Sequence, residues 1–277
     1  MTGYYYLVSS LPVLDMDSKS INYDITELYR TIRQNTEAAD RIYLRELLYI
    51  NDIKNLVSTI AVNRQLPRPH VHFQKFSSIP KEIIEEYHVH SDQLPSFIRD
   101  ILETYEGKFN EMSMLEIERL LLQSYFEILQ KSKNKFNRNY AAFELSLRNM
   151  MKAINSRTPA DLNDDEILDD ERTSGALEKS SAKDFGLSEQ FPFINQLIVH
   201  IENRAVKELD DFTDRLRWNF CDELTSASFF EIDNILAYII KLDIISRHIE
   251  LDDEKGRDRL EYLTTQALEN LEITERK

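Results

Sequence analysis

The sequence predicts an all-α protein, and three observations carry the prediction. Its 277 residues include only 5 Gly and 7 Pro, well below the roughly 7% and 5% of average proteins, so the many tight turns of an all-β fold are hard to supply. Apolar residues recur at three- and four-residue spacings over long stretches, the period of one helix face. Two Ser-x-x-Glu patterns, Ser113 with Glu116 and Ser228 with Glu231, have the capping-box spacing, in which each side chain can satisfy an orphan N–H near the other's backbone.

Taken in order, residues 4–14 (Tyr-Tyr-Tyr-Leu-Val-Ser-Ser-Leu-Pro-Val-Leu) are aromatic and β-branched and close on a Pro, which predicts a short extended segment. From Ala39 to Val62, Ile42, Leu44, Leu47, Leu48, Ile50, Ile53, Leu56, Val57 and Ile60 alternate with Arg41, Arg45, Asp52 and Lys54, predicting a long amphipathic helix with the charged residues on its wet side. Leu66-Pro67-Arg68-Pro69 stops it, because two prolines remove donors and turn their predecessors away from helix. Pro80 and Pro95 stand near the starts of short periodic runs, the second ending near Gly107. Ser113 opens a helix through Leu129, the pattern breaks from Lys131 to Asn139, and a further helix runs from Tyr140 to Ile154.

Arg157 to Gln190 differs from its surroundings. It holds Pro159, Gly175, Gly186 and seven acids among the eleven residues from Asp161 to Glu171. Dense like charge with few apolar anchors predicts an acidic, flexible, solvated connection. The chain then divides into an N-terminal helical region (1–156), the acidic linker (157–190) and a C-terminal helical region (191–277) packing on the first. That last region offers helices from Phe193 to Leu224, from Ile232 to Ile249 and from Asp258 to Ile273. Up to nine helices emerge, without a short repeat.

Composition narrows the function. With 34 Lys and Arg against 49 Asp and Glu, a net charge of −15, nucleic-acid and anionic-membrane binding are disfavoured over most of the surface. One cysteine, Cys221, excludes an internal disulfide and a four-thiolate zinc site, pointing to the cytoplasm. No basic segment precedes the first apolar stretch, so no cleaved signal peptide is expected. The longest strongly apolar run, Ile235 to Ile240, is far short of the about 20 residues that span a bilayer. Glycines at 3, 107, 175, 186 and 256 permit no dinucleotide, P-loop or nucleophile-elbow motif.

The histidine pairs His70/His72 and His88/His90 are the most metal-like features, since alternate residues of an extended chain face one side. The first pair lies in a Pro-flanked loop and the second at a helix end, where alternate residues diverge. Glu85 and His88 make one Glu-x-x-His, but a di-iron bundle requires two, and neither His200 nor His248 has Glu three residues earlier. Asp161, Asn163 and Asp165 imitate a calcium loop, yet Glu166 replaces its glycine and Arg172 its bidentate glutamate. Lys131, Lys133, Lys135 and Arg138, interleaved with Phe136 and Tyr140, read as a helix junction or a contact for an acidic protein. Cys221 reads as a buried structural thiol. No catalytic, cofactor-binding or metal residue is therefore expected, and the chain is read as a non-enzyme without a cofactor.

Tyr4-Tyr5-Tyr6-Leu7-Val8-Ser9-Ser10-Leu11-Pro12 resembles the opening of an uncharacterised bacterial family encoded in V-type ATPase operons. The stretch from Phe229 to Arg247 is similar to the late helix of the C-type stalk-to-ring subunits of V/A-type ATPases, the d-type subunits of eukaryotes. Asp233, Ala237-Tyr238, Asp243 and Ile244 fit the pattern of that family. Asn234 stands where the family often has Pro, and His248-Ile249-Glu250 where it has Asn-Ile-Arg, marking a divergent relative. Asp52-Ile53-Lys54-Asn55-Leu56 is similar to an early helix there. The resemblance implies an elongated or funnel-like helical bundle, a non-catalytic coupling subunit between the central stalk and the membrane proteolipid ring, and peripheral attachment to the inner membrane through the complex, in the service of proton or other ion transport. The alternatives are a helical adaptor or ATPase assembly factor, and a helical metalloenzyme if His70, His72, His88 and His90 converge.

Overall fold

The computed structural model describes residues 3–18, 22–66, 73–109, 111–157 and 167–250. Helix takes up 65% of them, and no strand occurs among them. In chain order the helices are α1 (Tyr5–Ser10), α2 (Ile25–Asn35), α3 (Arg41–Asn63), α4 (Lys81–Glu85), α5 (Ser96–Thr104), α6 (Met114–Gln130), α7 (Lys135–Asn155), α8 (Ser174–Lys179), α9 (Ile194–Glu202), α10 (Val206–Thr225) and α11 (Ile232–Glu250). Among the described residues no helix is long and apolar enough to cross a membrane.

The expected extended N-terminal segment is instead helical over Tyr5–Ser10. Burial overrides the β propensity of its residues: Tyr4 and Leu7 are buried against α2, α3 and α11. Tyr4 closes this contact twice. Its N–H donates to the Phe230 carbonyl at 2.6 Å, and its hydroxyl donates to Asp40 Oδ2 at 2.6 Å.

Ser113 and Glu116 form the expected capping box. The break after α6 is shorter than expected, because Asn134 accepts from the Asn137 N–H at 2.8 Å and starts α7 at Lys135. The second expected box does not form. Asn234 accepts from the Glu231 N–H at 3.1 Å and donates to the Ser228 carbonyl at 3.2 Å, so its amide, rather than the Ser228 hydroxyl, holds the start of α11. Phe230, between them, is in the left-handed region at φ +60°, which presents its carbonyl to Tyr4.

Three apolar clusters make the core: one among α3–α6, one joining α1, α2, α3 and α11, and one around α7–α10. Helix α7 contributes to all three, through Leu145, Tyr140 and Leu147 respectively. It is therefore α7, rather than the highly apolar α11, that stands at the centre.

The segment expected to be a solvated linker is packed over 167–190. Leu168, Leu177, Phe185 and Leu187 are buried, and Asp170, 4% exposed, accepts from Ser146 Oγ at 2.9 Å and from Thr173 Oγ1. The acids of this stretch thus cap and clamp as well as repel. Residues 158–166 and the expected helix 258–273 lie outside the described residues.

One device appears twice. Asn55 of α3 donates to the Gln74 carbonyl at 3.2 Å and accepts from its N–H at 2.7 Å. Asn149 of α7 does the same to Leu168, at 2.8 and 3.0 Å. In each case a helix amide grips both polar groups of a residue 19 positions later, so the returning chain leaves neither orphaned.

Candidate functional site

Helical spacing gathers a set of charged side chains on one cleft. Asn51 and Lys54 are three apart on α3, Asp214 and Arg217 three apart on α10, and Asp243 and Arg247 four apart on α11, so each pair shares a face. Tyr140 and Glu144 of α7 and Tyr125 of α6 complete the wall around a 120 Å³ cavity. Apolar side chains of α3 and α11, Leu47, Leu48, Ile239, Ile240 and Ile244, line the rest.

Arg217 is the geometric centre. Its Nε and Nη2 donate to Glu144 Oε2 and Oε1, both at 2.8 Å, the fork-to-fork arrangement that Arg offers and Lys does not. Its Nη1 reaches Asp214 Oδ1 at 3.1 Å. Asp214, 1% exposed, also accepts from Arg247 and lies 2.8 Å from His248 Nε2. One buried carboxylate thus joins α10 to two successive positions of α11.

Burial pushes the Glu144 carboxyl up, but the charge and hydrogen bonds of Arg217 outweigh it and hold the group below its usual range. Arg217 is raised in turn: burial acts to lower it and Glu144 prevails. The opposite balance holds next door. Burial lowers the Lys54 amine, with Asp243 offsetting only part. It raises the Asp243 carboxyl against Lys54, Arg247 and a hydrogen bond with Asn51. Lys54 keeps a water-facing surface at the cleft mouth. Its nearest described partner is Asn51 Oδ1 at 3.5 Å. Lys54 and Asp243 therefore stand closer in proton affinity than a surface pair would. Chemically, the set can lock helices in register and hold water or a small polar group.

The sequence model of a family described as Protein of unknown function (DUF2764) matches residues 1–267. The chain belongs to the DUF2764 family. No curated protein and no solved structure matches it.

In this DUF2764 protein the described residues among those singled out from sequence do not assemble into a site. His70, His72, Asp161, Asn163 and Asp165 lie outside the described residues. His88 is exposed, and His90 is 3.4 Å from Glu86 Oε2. No group of three or more potential ligands could hold a metal ion among the described residues. Lys131, Lys133 and Lys135 are exposed, whereas Phe136 and Tyr140 are buried, so no aromatic face is open for base stacking. Cys221 is fully buried, and burial pushes its thiol up to about 12, away from nucleophilic use.

Sequence reasoning missed Glu144, Asp214 and Arg217, and took Asp52 for a wet-side charge, whereas Lys54, read the same way, is exposed. Asp52 is 0% exposed and accepts from the N–H groups of Ser78 and Ile79 at 2.8 and 3.1 Å. A usable signal was present: Glu144 lies between Phe143 and Leu145 and Asp243 between Leu242 and Ile244, in helical stretches where a charge persists only if partnered.

Proposed function

We propose that this protein is a non-catalytic coupling subunit of a V/A-type rotary ATPase, docked by protein contacts between the central stalk and the proteolipid ring. The observation that carries the reading is the mooring of α11, the helix whose sequence is similar to the late helix of the C-type stalk-to-ring subunits. Asp233 at its start accepts from Asn134 Nδ2 at 2.7 Å. Tyr238 donates to the Pro12 carbonyl at 2.9 Å. Asp243, Arg247 and His248 enter the ionic cleft. A part that transmits torque must not let its helices slide, and polar bonds at fixed positions along an apolar seam resist sliding better than apolar contact alone.

The cleft charges are largely taken up by one another, which favours a load-bearing role over a reaction. The test is affinity purification of the tagged chain from native membranes, together with deletion of its gene. Recovery of stalk or ring subunits, with uncoupled ion pumping in the deletion strain, is the expected result. A fully assembled and coupled ATPase without the gene, or purification that returns no ATPase subunit, would replace this reading with an unrelated helical adaptor.

A further inference from the structure

A second concavity lies between α2 and α3, with a volume of 550 Å³. Arg30 and Arg33 of α2 and Arg41 and Arg45 of α3 all line it, and no acidic residue does. On a chain of net charge −15, four guanidinium groups around one groove stand against the average field.

Local partners engage two of the four and leave two available. Arg30 pairs with Glu27 at the exposed rim. Arg41 uses Nε and Nη2 on the Thr36 and Gln34 carbonyls, at 3.0 and 3.2 Å, which fixes its guanidinium at the α2–α3 turn. Arg33 and Arg45 are exposed and have no ion pair among the described residues. Asp52, buried on α3, is occupied by Ser77, Ser78 and Ile79. Between the arginines, the floor is formed by Tyr29, Leu44 and Leu48, all buried.

We infer that this groove receives an acidic helix of a protein partner, its carboxylates on the arginines of both walls. Spacing chooses this occupant over a compact anion. Arg30 and Arg33 are three residues apart and Arg41 and Arg45 four, a rise of about 4.5 Å and about 6 Å along their helices. Each wall therefore presents cations one helical turn apart, the interval at which a partner helix presents Glu at i and i+4. A single phosphate needs cations converging on one point, and these line two walls across an apolar floor. The guanidinium fork suits carboxylates. The inference does not depend on the rotary-ATPase reading, since it concerns the isolated chain.

The test uses the full chain and a fluorescein-labelled 20-residue helical peptide carrying Glu at i, i+4 spacing, followed by anisotropy. The expected result is saturable binding that weakens as NaCl is raised from 50 to 300 mM. Arg33→Glu combined with Arg45→Glu should weaken it at least tenfold, with the far-UV circular dichroism spectrum and thermal midpoint unchanged. Should that double variant misfold, Arg33→Gln with Arg45→Gln serves, with a loss of at least threefold expected. A peptide carrying Gln in place of Glu should bind at least tenfold more weakly than the parent. No binding of the acidic peptide, binding indifferent to the arginine variants, or displacement by tripolyphosphate at lower concentration than unlabelled peptide would each overturn the inference, the last in favour of a small-anion site.

Discussion

Replacing Glu144 with Gln tests whether the cleft holds the helices together. The substitution keeps the shape of the side chain but removes the charge opposite Arg217, whose Nε and Nη2 both bond to it at 2.8 Å. Breaking a fully buried ion pair in this way costs about 3–5 kcal/mol, because the remaining charge stays desolvated. Here Arg217 and Glu144 keep 19% and 23% of their side-chain surface, and Asp214 remains 3.1 Å from Arg217, so ~2–3 kcal/mol is the appropriate expectation. At roughly 2–4 °C per kcal/mol for chains of this size, the melting temperature should fall by about 4–12 °C. Urea unfolding measures the same loss as a lower midpoint at constant slope.

Adding Arg217→Met should cost less than the sum of the single changes, with a coupling of ~1–2 kcal/mol. The pH dependence has a definite sign. The folded carboxyl is held below its ordinary value of 4.5, so its stabilisation is complete above the unfolded value and is lost as pH falls through the folded one. The gap between wild type and Glu144→Gln should therefore be constant from pH 6 to 7 and narrow below about pH 4.5. A single-variant loss under 0.5 kcal/mol, additive behaviour in the double variant, or a gap that persists in acid would refute the argument.

Ile239→Asp places a charge at a position 1% exposed in the α11 seam and should cost several kcal/mol, seen as loss of soluble yield, whereas Ile239→Val should cost only about 0.5–1.5 kcal/mol. Asn149→Ala removes both bonds to the Leu168 backbone; at ~1–3 kcal/mol for each buried group left unpaired, it should speed proteolysis within 167–190 while leaving the rest protected. Cys221 should resist thiol reagents in the native protein at pH 8 and react only on unfolding. Because its folded value is raised from 9.0 to about 12, the unfolded thiol ionises first, so stability should decline as pH rises between these values, and Cys221→Ser should flatten that slope.

Most of the helices were legible because their signals are local. Ser113 with Glu116, and the three-and-four spacing of Leu44, Leu47, Leu48 and Leu56, act within one or two turns. The failures came where distant residues decide. Tyr4 and Leu7 read as strand-forming until α11, more than 200 residues later, buries them. The acidic stretch around Asp170 read as solvated because its partners Ser146 and Asn149 lie on another helix. The cleft was hidden for the same reason: a lone acid in an apolar stretch declares that it has a partner, but not which one.

The seam joining α1, α2 and α3 to α11 also has a history during synthesis. Leu44, Leu47 and Leu48 emerge early, yet several of their partners, Ile235, Leu236 and Ile239 among them, come from the ribosome only after the whole middle of the chain. At roughly 5–20 residues per second the interval is on the order of ten seconds or more. Helices α3 to α9 can bury their own faces in the meantime, since their clusters need little from α11. The apolar edge that α11 will cover stays bare until the last quarter of the protein arrives. A nascent chain stalled before Ile232 would thus present a surface for chaperone capture, and completion of α11 is the event that closes it.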